Sequence, residues 1–447
     1  MPTPPVTTRD GAGTPAAERS GQPAHRPDGP GDDRPGPSDP SAGPGTDPAA
    51  GPAGARQGAL REYNLAVLVQ ELFGSSTARS RADLSARTGM TRSTVSRLVE
   101  DLLAAGIVAE NPAPAGRRGR PAVPLSAAPG TLLGLGLEVN VDYVAGRLLD
   151  LRGATVAERL VPSDMRGSDP AVVLPALGDL GRELVTEAGP AARLVGTVLA
   201  LPGLVDSPAG RLLLAPNLGW RELRPAPLLG ADLGEVTIAN EAKLAALATA
   251  TEAPGRLGPD RTFLYVSAQV GVGSAAVVDG EVMTGPHGWA GEIGHFSVEP
   301  GGPQCRCGAR GCLEQYAGKQ ALMVAAGLPV TASAADLLAR ADGPDGATAR
   351  AALERAGWAL GITLAGAVNL LDIDQILLGG ELAPLAERLA PAVEAELRAR
   401  VLAAPWATLS VRAAGHDPAL AARGAALTAL ATVVEAPARW VPAALPA

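Results

Sequence analysis

From Leu60 the apolar residues of the chain fall at helical spacing, and Leu65, Val67, Leu68, Leu72 and Phe73 predict the buried stripe of a first helix. Residues 1–55 before it hold Pro, Gly, Ala, Ser, Asp and Arg with almost no large apolar side chain. Burial there cannot offset the entropy of ordering, so a disordered tail is expected. After the first helix, Ser80 is placed to cap a second over Arg81–Thr88 and Gly89 supplies a turn. Thr91 then caps a third helix that turns Val95, Leu98, Val99, Leu102 and Leu103 inward. That is helix-turn-helix spacing. The outer face of the third helix carries Arg92, Ser93, Thr94, Ser96 and Arg97, guanidinium forks and short hydroxyls suited to phosphates and base edges in a major groove. Ile107–Glu110 and Ala122–Leu125 read as strands joined by a Pro/Gly/Arg-rich hairpin over Asn111–Arg120. Arg117, Arg118 and Arg120 on this wing can reach phosphates or a narrow minor groove.

From Thr131 the pattern becomes mixed α/β. Strands are expected over Leu132–Glu138, Tyr143–Asp150, Val195–Leu201, Phe263–Ser267, Ala275–Val278 and Gln375–Leu378, interleaved with helices such as Asn240–Thr249 and Ala347–Leu371. The organisation expected is a tail over 1–55, a winged helix-turn-helix over 56–128 and a two-lobed α/β body over 129–447.

Composition narrows this picture. Apolar residues make up 46% of the chain but aromatics only 3%, so the core must be built from Leu, Val, Ala and Ile. A net charge of -8 argues against a chain that coats nucleic acid indiscriminately. Between Arg56 and Leu125, however, ten arginines face six acidic residues, and this basic stretch coincides with the helix-turn-helix. No apolar run reaches the roughly 18 uncharged residues of a membrane helix, and the N-terminus lacks a secretory stretch, so a cytoplasmic protein with no membrane partner is expected.

The three cysteines are Cys305, Cys307 and Cys312, an odd number without an export signal, which favours metal over a disulfide framework. With His295 they supply four donors within eighteen residues, a complete tetrahedral zinc shell. No position is left for water, so the metal is expected to be structural. The alternative is a set of redox-active thiols.

The run Ala290-Gly291-Glu292-Ile293-Gly294-His295, the Cys-x-Cys-Gly-x-x-Gly-Cys loop and Leu313-Glu314-Gln315-Tyr316 resemble the signature of the ROK family of repressors, open reading frames and sugar kinases. The resemblance runs from about Thr131 to the C-terminus, and the Gly119-Arg120-Pro121 wing is similar to the family's repressor branch. It implies an actin-like, ribonuclease H-like fold of two lobes with a sugar in the cleft between them. It also implies Asn240, Glu241, Glu292, His295 and Glu314 as the sugar ligands. Carboxylates and amides that accept and donate in pairs suit vicinal hydroxyls. Loops over Pro202–Asp206 and Pro216–Trp220 resemble the family's cleft loops.

The same resemblance separates a sensor from a kinase. A family kinase carries an Asp-x-Gly-Gly-Thr-like phosphate loop, because only bare backbone N–H groups approach phosphates closely. Here that strand ends Glu138-Val139-Asn140-Val141. The loop Gln269-Val270-Gly271-Val272-Gly273 keeps two glycines, and Leu378-Gly379-Gly380-Glu381 puts a carboxylate where triphosphate would lie. Glu241 stands at the family's catalytic-base position, one methylene longer than the usual Asp. The expectation is a non-enzymatic regulator, a repressor of carbohydrate genes, that binds operator DNA as a homodimer or higher homo-oligomer under control of a small sugar. The alternative is an ATP-dependent, glucokinase-like sugar kinase with an appended DNA-binding head.

Overall fold

A computed structural model describes residues 52–112, 123–415 and 417–441, with the backbone alone for 52–57. Residues 1–51 of the expected tail and the wing arginines Arg117, Arg118 and Arg120 lie outside the described residues. Helix α1 (Pro52–Phe73) begins within the stretch read as tail. It is followed by β1 (Arg79–Ser80), α2 (Arg81–Thr88), α3 (Arg92–Ala104), β2 (Val108–Glu110) and β3 (Pro124–Ala127), the strands pairing in the order β1-β3-β2. Local chemistry sets these limits. Ser80 Oγ accepts from the Asp83 N–H while Asp83 accepts from the Ser80 N–H, and Gly89 closes α2 at φ 72°. Thr91 caps α3 through the Thr94 N–H at 3.2 Å. Leu65, Leu68, Leu72 and Phe73 are buried as expected, but Val67 is only half-buried and Val69 takes its place in the stripe. Leu103 is likewise half-buried.

The body contains one strand order twice. In the first lobe β4 (Leu132–Val139), β5 (Tyr143–Asp150) and β6 (Thr155–Pro162) form an antiparallel meander, and helix α4 (Pro170–Glu187) leads to β7 (Arg193–Leu201), parallel to β4. A flap of β8 (Leu204–Asp206), β9 (Arg211–Ala215) and β10 (Trp220–Leu223) precedes β11 (Val236–Asn240), parallel to β7. Helix α5 (Glu241–Ala250) and the hairpin β12 (Thr251–Ala253) and β13 (Arg256–Leu257) connect to the second lobe. There β14 (Phe263–Ala268), β15 (Val272–Val278) and β16 (Glu281–Val282) repeat the meander. Helices α6 (Glu314–Ala317), α7 (Lys319–Ala325), α8 (Ala334–Asp342) and α9 (Ala347–Leu371) come next, then β17 (Gln375–Gly380), α10 (Ala386–Arg400), β18 (Ser410–Ala413) and α11 (Leu420–Glu435). Strand β17 is parallel to β14 and β18 to β17, so the orders β11-β7-β4-β5-β6 and β18-β17-β14-β15-β16 match position for position. This is the duplicated, actin-like arrangement.

Helix α11 lies against β4 with no side chain between their backbones, because a Cβ on Gly136 would overlap the Ala422 carbonyl. Gly424 gives the same close approach to Leu244 of α5. On its far side α11 shares a core with the head: Leu65, Leu68 and Phe73 of α1 belong to one buried cluster with Leu427, Leu430 and Val433. Among the described residues no helix is long and apolar enough to cross a membrane.

Candidate functional site

The metal cluster is built by a hairpin-like loop in the second lobe. Ser297 pairs with Cys312 and Gln304 with Arg310, while Gly308 and Gly311 turn the chain at φ 98° and 70°. The donor atoms of His295, Cys305, Cys307 and Cys312 all lie within 4.8 Å of one another. Cys307 Sγ stands 3.7 Å from Cys312 Sγ, and Cys305 Sγ 3.9 Å from His295 Nδ1. A tetrahedron with Zn–S bonds of about 2.3 Å has edges of about 3.8 Å, so the donor set fits the ion in both chemistry and spacing. Burial, with the neighbouring thiols Cys307 and Cys305, pushes the Cys312 thiol up to about 12. Three thiolates so close together need a cation to neutralise them.

Beside this loop the lobes enclose a cleft of about 70 Å³, lined by Asn240, Glu241, Glu292, His295 and Glu314 together with Gly203, Asn217 and Arg306. All five expected ligands are thus brought together, although the cleft holds room for only a few waters. Asn240 is largely committed to structure: its Oδ1 caps α5 by accepting from Ala242 and Lys243 N–H, and its Nδ2 donates to Gly203 O at 2.9 Å. Burial, with the Glu138 charge nearby, pushes the Glu241 carboxyl up to about 8, against the Asn140 amide that donates to it at 3.4 Å. Burial therefore favours its protonated form, which donates a hydrogen bond. Burial also raises Glu292, opposed by Lys243 and His295. A Cβ on Gly271 would overlap Glu314, so the bare backbone of that loop makes room for the carboxylate to enter the cleft. The loops over Pro202–Asp206 and Pro216–Trp220 contribute Pro202, Gly203, Pro216 and Asn217, whereas Trp220 is buried and donates to Ser168 O. Arg306, which the sequence placed only as a spacer between two cysteines, spans the cleft. It donates to Asn217 Oδ1 of the first lobe and to Gln320 Oε1 of the second, both at 3.3 Å.

A smaller hollow of about 40 Å³, lined by Glu138, Asn140, Tyr143, Glu241 and Gly380, lies where the phosphate loop implied by the family resemblance would stand. Tyr143 Oη donates to Glu138 Oε1 at 2.6 Å, and Glu138 Oε2 accepts from the Ala422 N–H at the start of α11. Burial pushes Glu138 up to about 7, while those two donors pull it down. Lys319 Nζ lies 3.0 Å from Asp142 Oδ2 across the lobes and 3.2 Å from Glu381 Oε1 within its own lobe, so the carboxylate expected to repel triphosphate is paired with the same ammonium that bridges the lobes. Against the penalty of burial, Glu381 and Asp142 hold Lys319 above its ordinary value.

In the head, Arg92, Ser93 and Arg97 are exposed on α3, with Thr94 and Ser96 half-buried. Arg61 ties down Asp101, and Arg81 ties down Glu100 and Glu110, while Arg92 and Arg97 have no acidic partner among the described residues. The cationic end of α3 is thus presented and its acidic end neutralised. Ser93 and Thr94 hydroxyls also meet the capping Thr91 Oγ1 at 2.9 Å, which fixes their direction.

Comparison with known proteins divides the chain in the same way. A model of the ROK family matches residues 135–432, and a model of the MarR family matches residues 73–119. The chain is 28% identical over 350 residues to the xylose repressor of Bacillus spizizenii, covering 78% of this chain and 89% of that one. Among solved structures it is similar to a ROK family transcriptional regulator, a homolog of the Escherichia coli MLC protein, with a TM-score of 0.69 and 26% identity over 86% of this chain and all of that one. It is also similar to a ROK hexokinase from Thermus thermophilus, with a TM-score of 0.53 and 29% identity over 66% of this chain and 97% of that one.

Proposed function

Because the chain belongs to the ROK family, we propose that it is a sugar-responsive repressor of carbohydrate genes rather than a kinase. In this reading residues 56–128 bind operator DNA, residues 129–447 sense a small sugar in the cleft, and residues 1–55 form a tail. Arg92, Ser93, Thr94, Ser96 and Arg97 meet the major groove, and Arg118 and Arg120 of the wing meet phosphates or the minor groove. A homodimer sets two such heads about one helical turn of DNA apart, or a multiple of it.

The observation that carries the reading is the side of the cleft away from the metal loop, where Tyr143 bonds Glu138 and Lys319 pairs with Asp142 and Glu381, beside a hollow of only about 40 Å³. A nucleotide there would have to break an inter-lobe ion pair and bring triphosphate against carboxylates. The sugar side, by contrast, keeps its polar groups directed into the cleft. A zinc ion on His295, Cys305, Cys307 and Cys312 would be structural, holding the loop and the imidazole in place. Asn240 then positions α5, Glu241 donates, and Glu292 and Glu314 accept from vicinal hydroxyls. Entry of the sugar parts the Arg306 bridge and resets the angle between the lobes. The resulting shift reaches the heads and changes operator affinity, and linkage requires operator DNA to change sugar affinity by the same factor.

The test is a titration of zinc-replete protein against D-xylose, D-glucose and N-acetyl-D-glucosamine, with and without Mg-ATP, followed by calorimetry and by ADP release. Sugar binding without ADP is expected. Sustained ADP release above background would make the chain a kinase with a DNA-binding head.

A further inference from the structure

Asn217, Val270, Arg306 and Glu314 line both the cleft and a second hollow. That outer hollow measures about 430 Å³, roughly six times the cleft itself. Its outer walls are Gln304 of the metal loop, Gln315 of α6 and Gln320 of α7, with Ala321 and Val324 along an apolar side. We propose that the hollow is a second saccharide subsite, and that the effector is a neutral disaccharide or longer glycan whose terminal unit enters the cleft. This rests on the sugar-sensing reading above and names the ligand class of the same site.

The wall chemistry selects the ligand. Four side chains, Asn217, Gln304, Gln315 and Gln320, end in neutral amides. An amide offers a donor pair and an acceptor side by side, which matches adjacent hydroxyls. Among the described residues the wall of the hollow carries one carboxylate, Glu314, against one guanidinium, Arg306, so the charges offset one another and a neutral second unit suits it. Arg306 sits where the two spaces join. Its bonds to Asn217 and Gln320 are long, at 3.3 Å, and it has no acidic partner among the described residues. A guanidinium held by two neutral amides exchanges them for sugar hydroxyls at little electrostatic cost. Gln304 Nε2 is used inside the metal loop, on Gly308 O and Ala309 O, which fixes the side chain and leaves its carbonyl oxygen as the acceptor. Moving Arg306 aside opens the cleft and the hollow together, so one displacement admits both units of a disaccharide.

The experiment compares xylobiose, cellobiose, maltose and N,N′-diacetylchitobiose with D-xylose, D-glucose and N-acetyl-D-glucosamine by calorimetry on the full-length, zinc-replete chain. One disaccharide is expected to bind at least tenfold tighter than its own monosaccharide. Gln315→Ala/Gln320→Ala, checked for zinc content and circular dichroism, is expected to bring that ratio down to about one. A monosaccharide that binds while no disaccharide gains over it overturns the subsite and leaves the sensor standing. Loss of both affinities in equal proportion in the variant overturns the subsite as well, and a wild-type chain that binds no sugar overturns both readings.

Discussion

Glu138 and Glu241 are two carboxyls buried within one polar pocket, where burial raises both and the Glu138 charge raises Glu241 further. The raised values, about 7 and about 8, stand well above the ordinary 4.5, so the folded chain keeps protons that the unfolded chain has released. The stability these groups contribute is full below about 4.5 and is lost as pH climbs through about 7 and 8. Glu241→Gln removes one titration while keeping an oxygen and a donor, so its melting temperature is expected to exceed the parent's at pH 9 and to match it near pH 5. A gain of roughly 1–2 °C corresponds to about 1 kcal/mol in a body of this size. Calorimetric scans across pH check it, and a parent whose melting temperature rises steadily from pH 5 to 9 would contradict the assignment. The His295 and cysteine cluster was legible from sequence because its four donors fall in one short loop. Arg306 was not, because its role depends on Asn217, 89 residues earlier in the chain. The Glu138 pocket was equally hidden, since it needs Ala422 from α11 to close it.

At the scale of elements, caps explain what sequence revealed. Helix α2 runs over Arg81–Thr88 as expected because Ser80, Asp83 and Gly89 settle both ends locally. Strand β5 also matches, over Tyr143–Asp150, with its inner residues buried on both faces. Strand β6 gave no such signal: it is a sheet edge, mostly exposed, and its apolar residues do not alternate. Strand β16 is two residues long and is defined by its pairing with β15. The α3 face yields a direct prediction. Arg92 and Arg97 carry charges that no acidic neighbour among the described residues offsets, while Arg81 is spent on Glu100 and Glu110. Arg92→Ala/Arg97→Ala is expected to weaken operator binding and to make the salt dependence shallower, by about 0.9 in the log–log slope for each phosphate that the variant no longer neutralises. Fluorescence anisotropy over a salt series reads both quantities. An unchanged slope with weakened binding would assign the two arginines to base edges instead.

The whole molecule connects its two ends through α11. Asn240 and Glu241 start α5 at the cleft, α5 meets α11 backbone to backbone at Gly424, and α11 shares a buried core with α1 of the head. With glycine at the crossing the two backbones pack directly, so a displacement of α5 at the cleft is expected to carry α11 with it. Its exit toward the head is softer. Phe73 and Val434 both approach Gly255, closing a seam between the end of α1 and the last turn of α11. Val434→Ala thins that seam without touching the cleft or α3, so sugar and operator are each expected to bind the variant on their own. The coupling between them is what should fall. In the parent, saturating sugar should change operator affinity by a factor within the usual range of about 5 to 150, and saturating operator should change sugar affinity by the same factor. In Val434→Ala both factors should shrink together toward one. A variant that keeps the parental factor would show that the signal reaches the head by another path, because the four affinities of the cycle allow no private loss on one side.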